Sequence, residues 1–141
     1  MRGEEITDRD IPVWNRVFMN TNDNSRDAYY SGLYYYFKDR DKESRRLDTG
    51  MRGSQTQQAK DFRKSKDYAY MLIFKKYESN ERALNQMKKA AQNAGNDDAV
   101  KNVELKTTDI RERIAKECLD VYFDRVDWKS WLEKTNSGND N

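Results

Sequence analysis

The chain has 141 residues, 37% charged, 35% hydrophobic and 12% aromatic, and 27 Lys+Arg against 25 Asp+Glu leave a net charge of +2. That length suits one domain rather than two ordinary cores, and no apolar run reaches the roughly 18 residues of a transmembrane helix. With no His and one Cys, Ser-His-Asp triads, Cys/His zinc sites and an internal disulfide are excluded.

The opening MRGEEITDRD has no apolar core of the kind a secretory signal needs. Together with the unpaired Cys118, this predicts an intracellular protein, host-cytoplasmic if viral, without a membrane partner. Residues 1–9 read as loose. Ile11, Trp14, Val17 and Phe18 then share one face of a short helix, with Pro12 tolerated in its first turn. Asn20, Asn22, Asp23 and Asn24 end it, because their side chains compete for backbone hydrogen bonds.

Ser25 is a good N-cap for a second helix running to about Leu47. Its segment 29–37, YYSGLYYYF, is the most unusual feature of the chain. Tyr29, Tyr30, Leu33, Tyr36 and Phe37 fall on one face, which predicts burial there. Tyr34 and Tyr35 fall on the side of Lys38, Lys42, Arg45 and Arg46. Residues 48–56, DTGMRGSQT, carry two Gly and no periodicity and read as a loop.

A long helix is expected over residues 57–94, weakest at Glu78-Ser79-Asn80-Glu81 and stopped by Gly95. Phe62, Ala69, Ile73, Tyr77, Leu84, Met87 and Ala91 form its apolar face. A last long helix opens at Asn96 or Asp97. One stripe holds Val100, Val103, Thr107, Ile110, Ile114, Cys118 and Val121. An adjoining one holds Ala115, Leu119, Tyr122, Phe123 and Val126. A helix apolar over two faces sits between neighbours, in the middle of a bundle or in an oligomer interface. Asp127 caps a terminal turn carrying Trp128, Trp131 and Leu132, and residues 135–141 read as a disordered tail. Trp14, Trp128 and Trp131 read as docking anchors for the end segments, with Trp131 also a candidate for contacting a partner. The predicted fold is all-α: a single-domain helical bundle of four to six helices over residues 1–134, including a long helical hairpin and a basic helix-loop-helix segment at about 26–77.

Charge is unevenly placed. Residues 38–66 hold ten basic and five acidic side chains, while residues 96–141 hold eight and eleven. The basic zone suggests a phosphate footprint. Lys38, Lys42, Arg45, Arg46, Arg52, Arg63 and Lys64 would neutralise phosphates, and Tyr34 or Tyr35 would stack on an unpaired base. The leading expectation is therefore a small non-enzymatic, nucleic-acid-associated accessory protein, and it depends on those cations forming one uncovered strip.

The same Tyr/Arg surface suits a protein interface equally well, and it also suits packing within the chain, because Tyr is common at half-buried positions and Lys and Arg stems cover apolar surface. On the last long helix, Asp109, Glu117, Asp120, Asp124 and Asp127 occupy one sector, with Arg113 among them. This acidic face is a candidate partner-binding surface. It could also pair with the basic zone of the same chain or of a second copy, which points to a homo-oligomer. The alternative expectation is thus a protein–protein adaptor, an inhibitor or an oligomeric structural subunit, for instance of a viral particle. The carboxylates lack an EF-hand loop, so no metal site is expected. Cys118 lies among apolar neighbours beside Glu117 and Asp120, the wrong surroundings for a nucleophile. No phosphate cradle, dinucleotide fingerprint or nucleophile elbow occurs, so neither a cofactor nor an enzyme is expected.

Overall fold

The computed structural model describes residues 25–138, and every regular element among them is an α-helix. They are α1 (Ser25–Gly50), α2 (Gln57–Phe62), α3 (Lys66–Asn93), α4 (Asp97–Tyr122) and α5 (Trp128–Gly138). This is the expected all-α helical bundle. The helix read around Ile11–Phe18, the loose residues 1–9 and the last three residues lie outside the described residues.

The α3–α4 hairpin forms its spine. It reverses at Gly95, whose φ of 69° is left-handed and comfortable for a residue without Cβ. The Gly95 N–H donates to the Gln92 carbonyl at 3.1 Å, and the Asn96 N–H reaches back to Ala91 at 3.0 Å. This pairing satisfies carbonyls that a helix end otherwise leaves bare. Asn96 then caps α4, its side chain accepting from the Ala99 N–H at 3.1 Å.

α1 packs against both hairpin helices, so the three long helices contact one another and α4 buries one face against α1 and an adjoining one against α3. This explains its two apolar stripes. Ile114, Ala115, Cys118, Leu119 and Val121 are buried, joined by Leu33, Tyr34 and Phe37 of α1 and Ala69, Tyr70, Ile73 and Phe74 of α3. Phe37 sits at the centre, with ring centroids 4.8 Å from Tyr70 and 6.2 Å from Tyr122. Arg40 forks onto Asp67 at 3.0 and 3.3 Å, and the Ser44 hydroxyl donates to the Asp67 carbonyl, so the end of α1 is tied to the start of α3.

The expected helix over 57–94 is broken at residues 63–65, not at Glu78–Glu81. Ser65 causes the break: its hydroxyl donates to the Phe62 carbonyl at 2.6 Å and accepts from the Tyr68 N–H, capping α3. Residues 78–81 remain helical inside α3 because Glu78 and Glu81 are held by partners on other helices. α1 runs three residues beyond Leu47. α5 continues to Gly138, where composition suggested a tail from residue 135.

A polar clasp closes the base of the bundle. Asp124 follows α4 with a φ of 57°, a conformation that Asp tolerates better than most residues. Its carboxylate accepts from the Trp128 indole N–H at 2.8 Å and pairs with Lys66 at 3.3 Å. The Lys66 ammonium also donates to the Tyr122 carbonyl and lies 5.8–5.9 Å from the Tyr122 and Trp128 ring centres. The hydrogen bond from Trp128 and the charge of Lys66 hold the Asp124 carboxyl below its usual range.

Candidate functional site

Of the four α1 cations expected to contact phosphate, Lys38, Arg45 and Arg46 pair with carboxylates. Arg45 donates to Asp41 at 2.8 Å and to Glu78 at 3.3 Å. Asp41 is fully buried, with Lys38 3.9 Å away, and the Lys38 ammonium lies over the Phe74 ring. Arg46 pairs with Glu43 one turn earlier. Arg63 turns inward and donates to the carbonyls of Ser54 (2.7 Å) and Met51 (3.4 Å), pinning the loop before α2. Lys42, Arg52 and Lys64 remain exposed, without an ion pair among the described residues. The continuous uncovered strip expected from the sequence is therefore interrupted: Asp41, Glu43 and Glu78 sit among its cations.

The two tyrosines placed on that strip separate. Tyr34 is 2% exposed, not a surface platform. Its hydroxyl donates to Glu81 at 2.8 Å, and its ring lies 5.5 Å from Phe74. Burial and the Glu81 carboxylate push its phenol well above the ordinary value. Tyr35 is 47% exposed and accepts a hydrogen bond from Arg111 at 3.1 Å. The Arg111 guanidinium lies 4.9 Å from the Tyr34 ring centre and 5.7 Å from that of Tyr35, so the one exposed ring of the pair is already stacked by a cation.

Arg111 also lines a polar groove between α3 and α4, with Glu81, Lys88, Glu104 and Thr107. Lys88 pairs with Glu104 at 3.2 Å and Arg111 with Glu81 at 3.8 Å. The groove neutralises its own charges and presents no net sign to a ligand.

The acidic residues divide. Asp109 pairs with Arg113 one turn along α4, and Asp124 belongs to the clasp. Glu117, Asp120 and Asp127 come together around a cavity of about 290 Å³ where α3, α4 and the start of α5 meet. Ile73, Val121 and Trp128 form its buried floor, Trp131 a half-buried wall, and Val126, 48% exposed, its lip. Glu117 accepts from Lys76 and from the Tyr77 hydroxyl. Partial burial and this carboxylate push the Tyr77 phenol up to about 12. Asp120 lies 3.8 Å from Arg125. Asp127 caps α5 by accepting from the Ser130 N–H at 3.1 Å and makes no ion pair among the described residues.

No protein-family model, curated protein or solved structure matches the chain.

Catalytic groups do not converge at any of these places. Cys118 is fully buried, and burial next to Glu117 pushes its thiol well above the ordinary value, the reverse of an activated nucleophile. Among the described residues no group of carboxylates and thiols is close enough to hold a metal ion, and no helix is long and apolar enough to cross a membrane.

Sequence reasoning assigned Trp131 to docking and Val126 to an apolar stripe but did not unite them with Glu117, Asp120 and Asp127. The missing step was α4 ending at Tyr122, four residues short of Val126, so that the chain turns and places Val126 and Trp131 beside the acidic sector. The left-handed Asp124 makes that turn, and an Asp inside an otherwise helical pattern gives only a faint signal of it.

Proposed function

We propose that this chain is a non-enzymatic protein-interaction module, an adaptor or a structural subunit, that engages a protein partner at the aromatic, acid-rimmed cavity between α3, α4 and α5. The observation that carries this reading is the joining of a buried apolar floor and an exposed Val126 lip with three of the five acidic residues singled out from the sequence. A volume of about 290 Å³ is at the low end for metabolite and cofactor sites, but it accommodates one or two anchoring side chains. Desolvated apolar pockets ringed by polar groups are where interface energy concentrates.

The test is site-specific photo-cross-linking in the source cells, with the cross-linker at Val126 and, as control, at Leu105, which is 69% exposed. A discrete protein adduct is expected from position 126 only, abolished by Trp131→Ala. Equal adducts from both positions, or none from position 126, would remove the reading.

A second reading, phosphate-backbone contact by a nucleic-acid accessory protein, rests on Lys42, Arg52 and Lys64, the exposed and unpaired remainder of the basic set. It predicts anisotropy changes with labelled single-stranded RNA or DNA that weaken in Arg52→Ala/Lys64→Ala and fall with salt. No binding at low salt would exclude it.

A further inference from the structure

We infer that the occupant of the α3–α4–α5 cavity is a linear segment of a partner protein that inserts one large aliphatic or aromatic side chain and flanks it with Lys or Arg. This rests on the protein-docking reading above and names the chemistry of its ligand.

Three features of the cavity select that chemistry. Its floor of Ile73, Val121 and Trp128 offers dispersion contact and no hydrogen-bonding need except the Trp128 indole N–H, which Asp124 already satisfies. An inserted side chain should therefore be apolar, because a polar one would lose water without finding a partner. The size of the cavity admits a Leu, Met, Phe or Trp side chain and no folded element.

The charge of the lining fixes the flanks. Glu117, Asp120 and Asp127 line it against a single ammonium, Lys76, which already pairs with Glu117. With Arg125 beside Asp120 as well, the local excess is one negative charge, on Asp127, in a chain whose net charge is +2. Asp127 is exposed and outside any ion pair among the described residues, and Asp120 meets Arg125 only at 3.8 Å. Both can accept a cation at the rim, where charge complementarity speeds encounter and sets register while the apolar anchor supplies affinity. The opposite arrangement, an acidic segment, would place like charges together around a low-dielectric floor.

The experiment selects displayed random peptides on the whole protein and measures recovered peptides by fluorescence anisotropy at low and high salt. Selected sequences are expected to carry one large apolar residue with Lys or Arg within a few positions. Val126→Glu should weaken them by at least about tenfold, because the inserted apolar side chain would have to desolvate the new carboxylate at the lip. Asp120→Asn/Asp127→Asn, which keeps an N-cap at position 127, should weaken them by about five- to tenfold at low salt and much less at high salt. Circular dichroism of each variant verifies that the bundle is intact.

Peptides without Lys/Arg enrichment that still lose affinity on Val126→Glu would overturn the basic segment and leave the docking reading in place. Peptides that bind Val126→Glu undiminished, or a library that yields none, would overturn both. A salt-sensitive dimer of the free protein, dissociated by Val126→Glu in sedimentation, would reassign the occupant to a second copy and overturn the present assignment.

Discussion

Tyr34→Phe removes one oxygen from the molecule and separates two views of the α1 surface. In the structure that oxygen donates to Glu81 at 2.8 Å from a ring 2% exposed. A hydrogen bond to a charged partner contributes about 1.5–3 kcal/mol. The Glu81 side chain is 21% exposed and 3.8 Å from Arg111, so it regains water and keeps a cation when the phenol is lost. The cost should therefore fall at the lower end, about 1.5 kcal/mol. Tyr34→Ala also empties the space between α1 and Phe74 and should cost about 3–5 kcal/mol. In a chain of about this length each kcal/mol lowers the melting temperature by about 2–4 °C. Tyr35→Phe, at a ring 47% exposed, should stay within about 0.5 kcal/mol of the parent. Urea unfolding followed by far-ultraviolet circular dichroism measures all three. If Tyr34→Ala costs no more than Tyr35→Phe, the ring is not between the helices and the packing of α1 described here is wrong.

The Asp124 clasp gives a second set of outcomes. Asp124→Asn keeps a residue that tolerates the left-handed turn and should cost under about 1 kcal/mol, while Asp124→Ala loses both partners at a positive φ and should cost about 1–3 kcal/mol. Because the folded carboxyl titrates below its unfolded value near 4, its contribution is present above that value and disappears as pH falls through the folded one; the parent should lose more stability than Asp124→Asn as pH falls below about 4. Tyr77 has the opposite sign. Its phenol is raised to about 12, so the stability it contributes is complete below the unfolded value near 10 and is lost as pH climbs from about 10 to about 12. Tyr77→Phe should flatten that alkaline loss, as read by urea midpoints across the range. The Cys118 thiol should resist a disulfide reagent in the native protein and react fully in denaturant; fast native labelling would contradict its burial.

Most of the helical framework was legible because its signals are local. Gly95, Asn96 and Asp127 stand where the structure uses them as a turn, a cap and a cap. The double stripe of α4 correctly implied a helix between two neighbours. The break at Ser65 was missed because the apolar spacing from Phe62 to Ala69 continues across it in helical register, and periodicity outweighed a cap residue. The second apolar row of α3, Tyr70, Met71 and Phe74, was also present in the sequence but hidden by the stripe beside it. The surface chemistry was harder to read. On a helical wheel Tyr34 shares the side of Lys38 and Arg45, yet a helix lying in the groove of two others buries a wider arc than its most apolar face. What satisfies the Tyr34 hydroxyl is a carboxylate 47 residues away. The same holds for Arg45 and Glu78, 33 residues apart. Spacing along one helix says nothing about countercharges supplied by another, so Tyr34 and Arg45, which look free on a wheel, find carboxylates after packing.

The turn at Gly95 and Asn96 also bears on how the chain gets to this arrangement. Three residues, Ala94 to Asn96, reverse the direction from α3 to α4, so the search that brings the two helices together spans little chain and forfeits little configurational freedom. α1 has to arrive from across a loop and a six-residue helix. That ordering favours a zippered hairpin as the early species, with the groove for α1 ready before α1 reaches it, and a rapid collapse for a protein of this size.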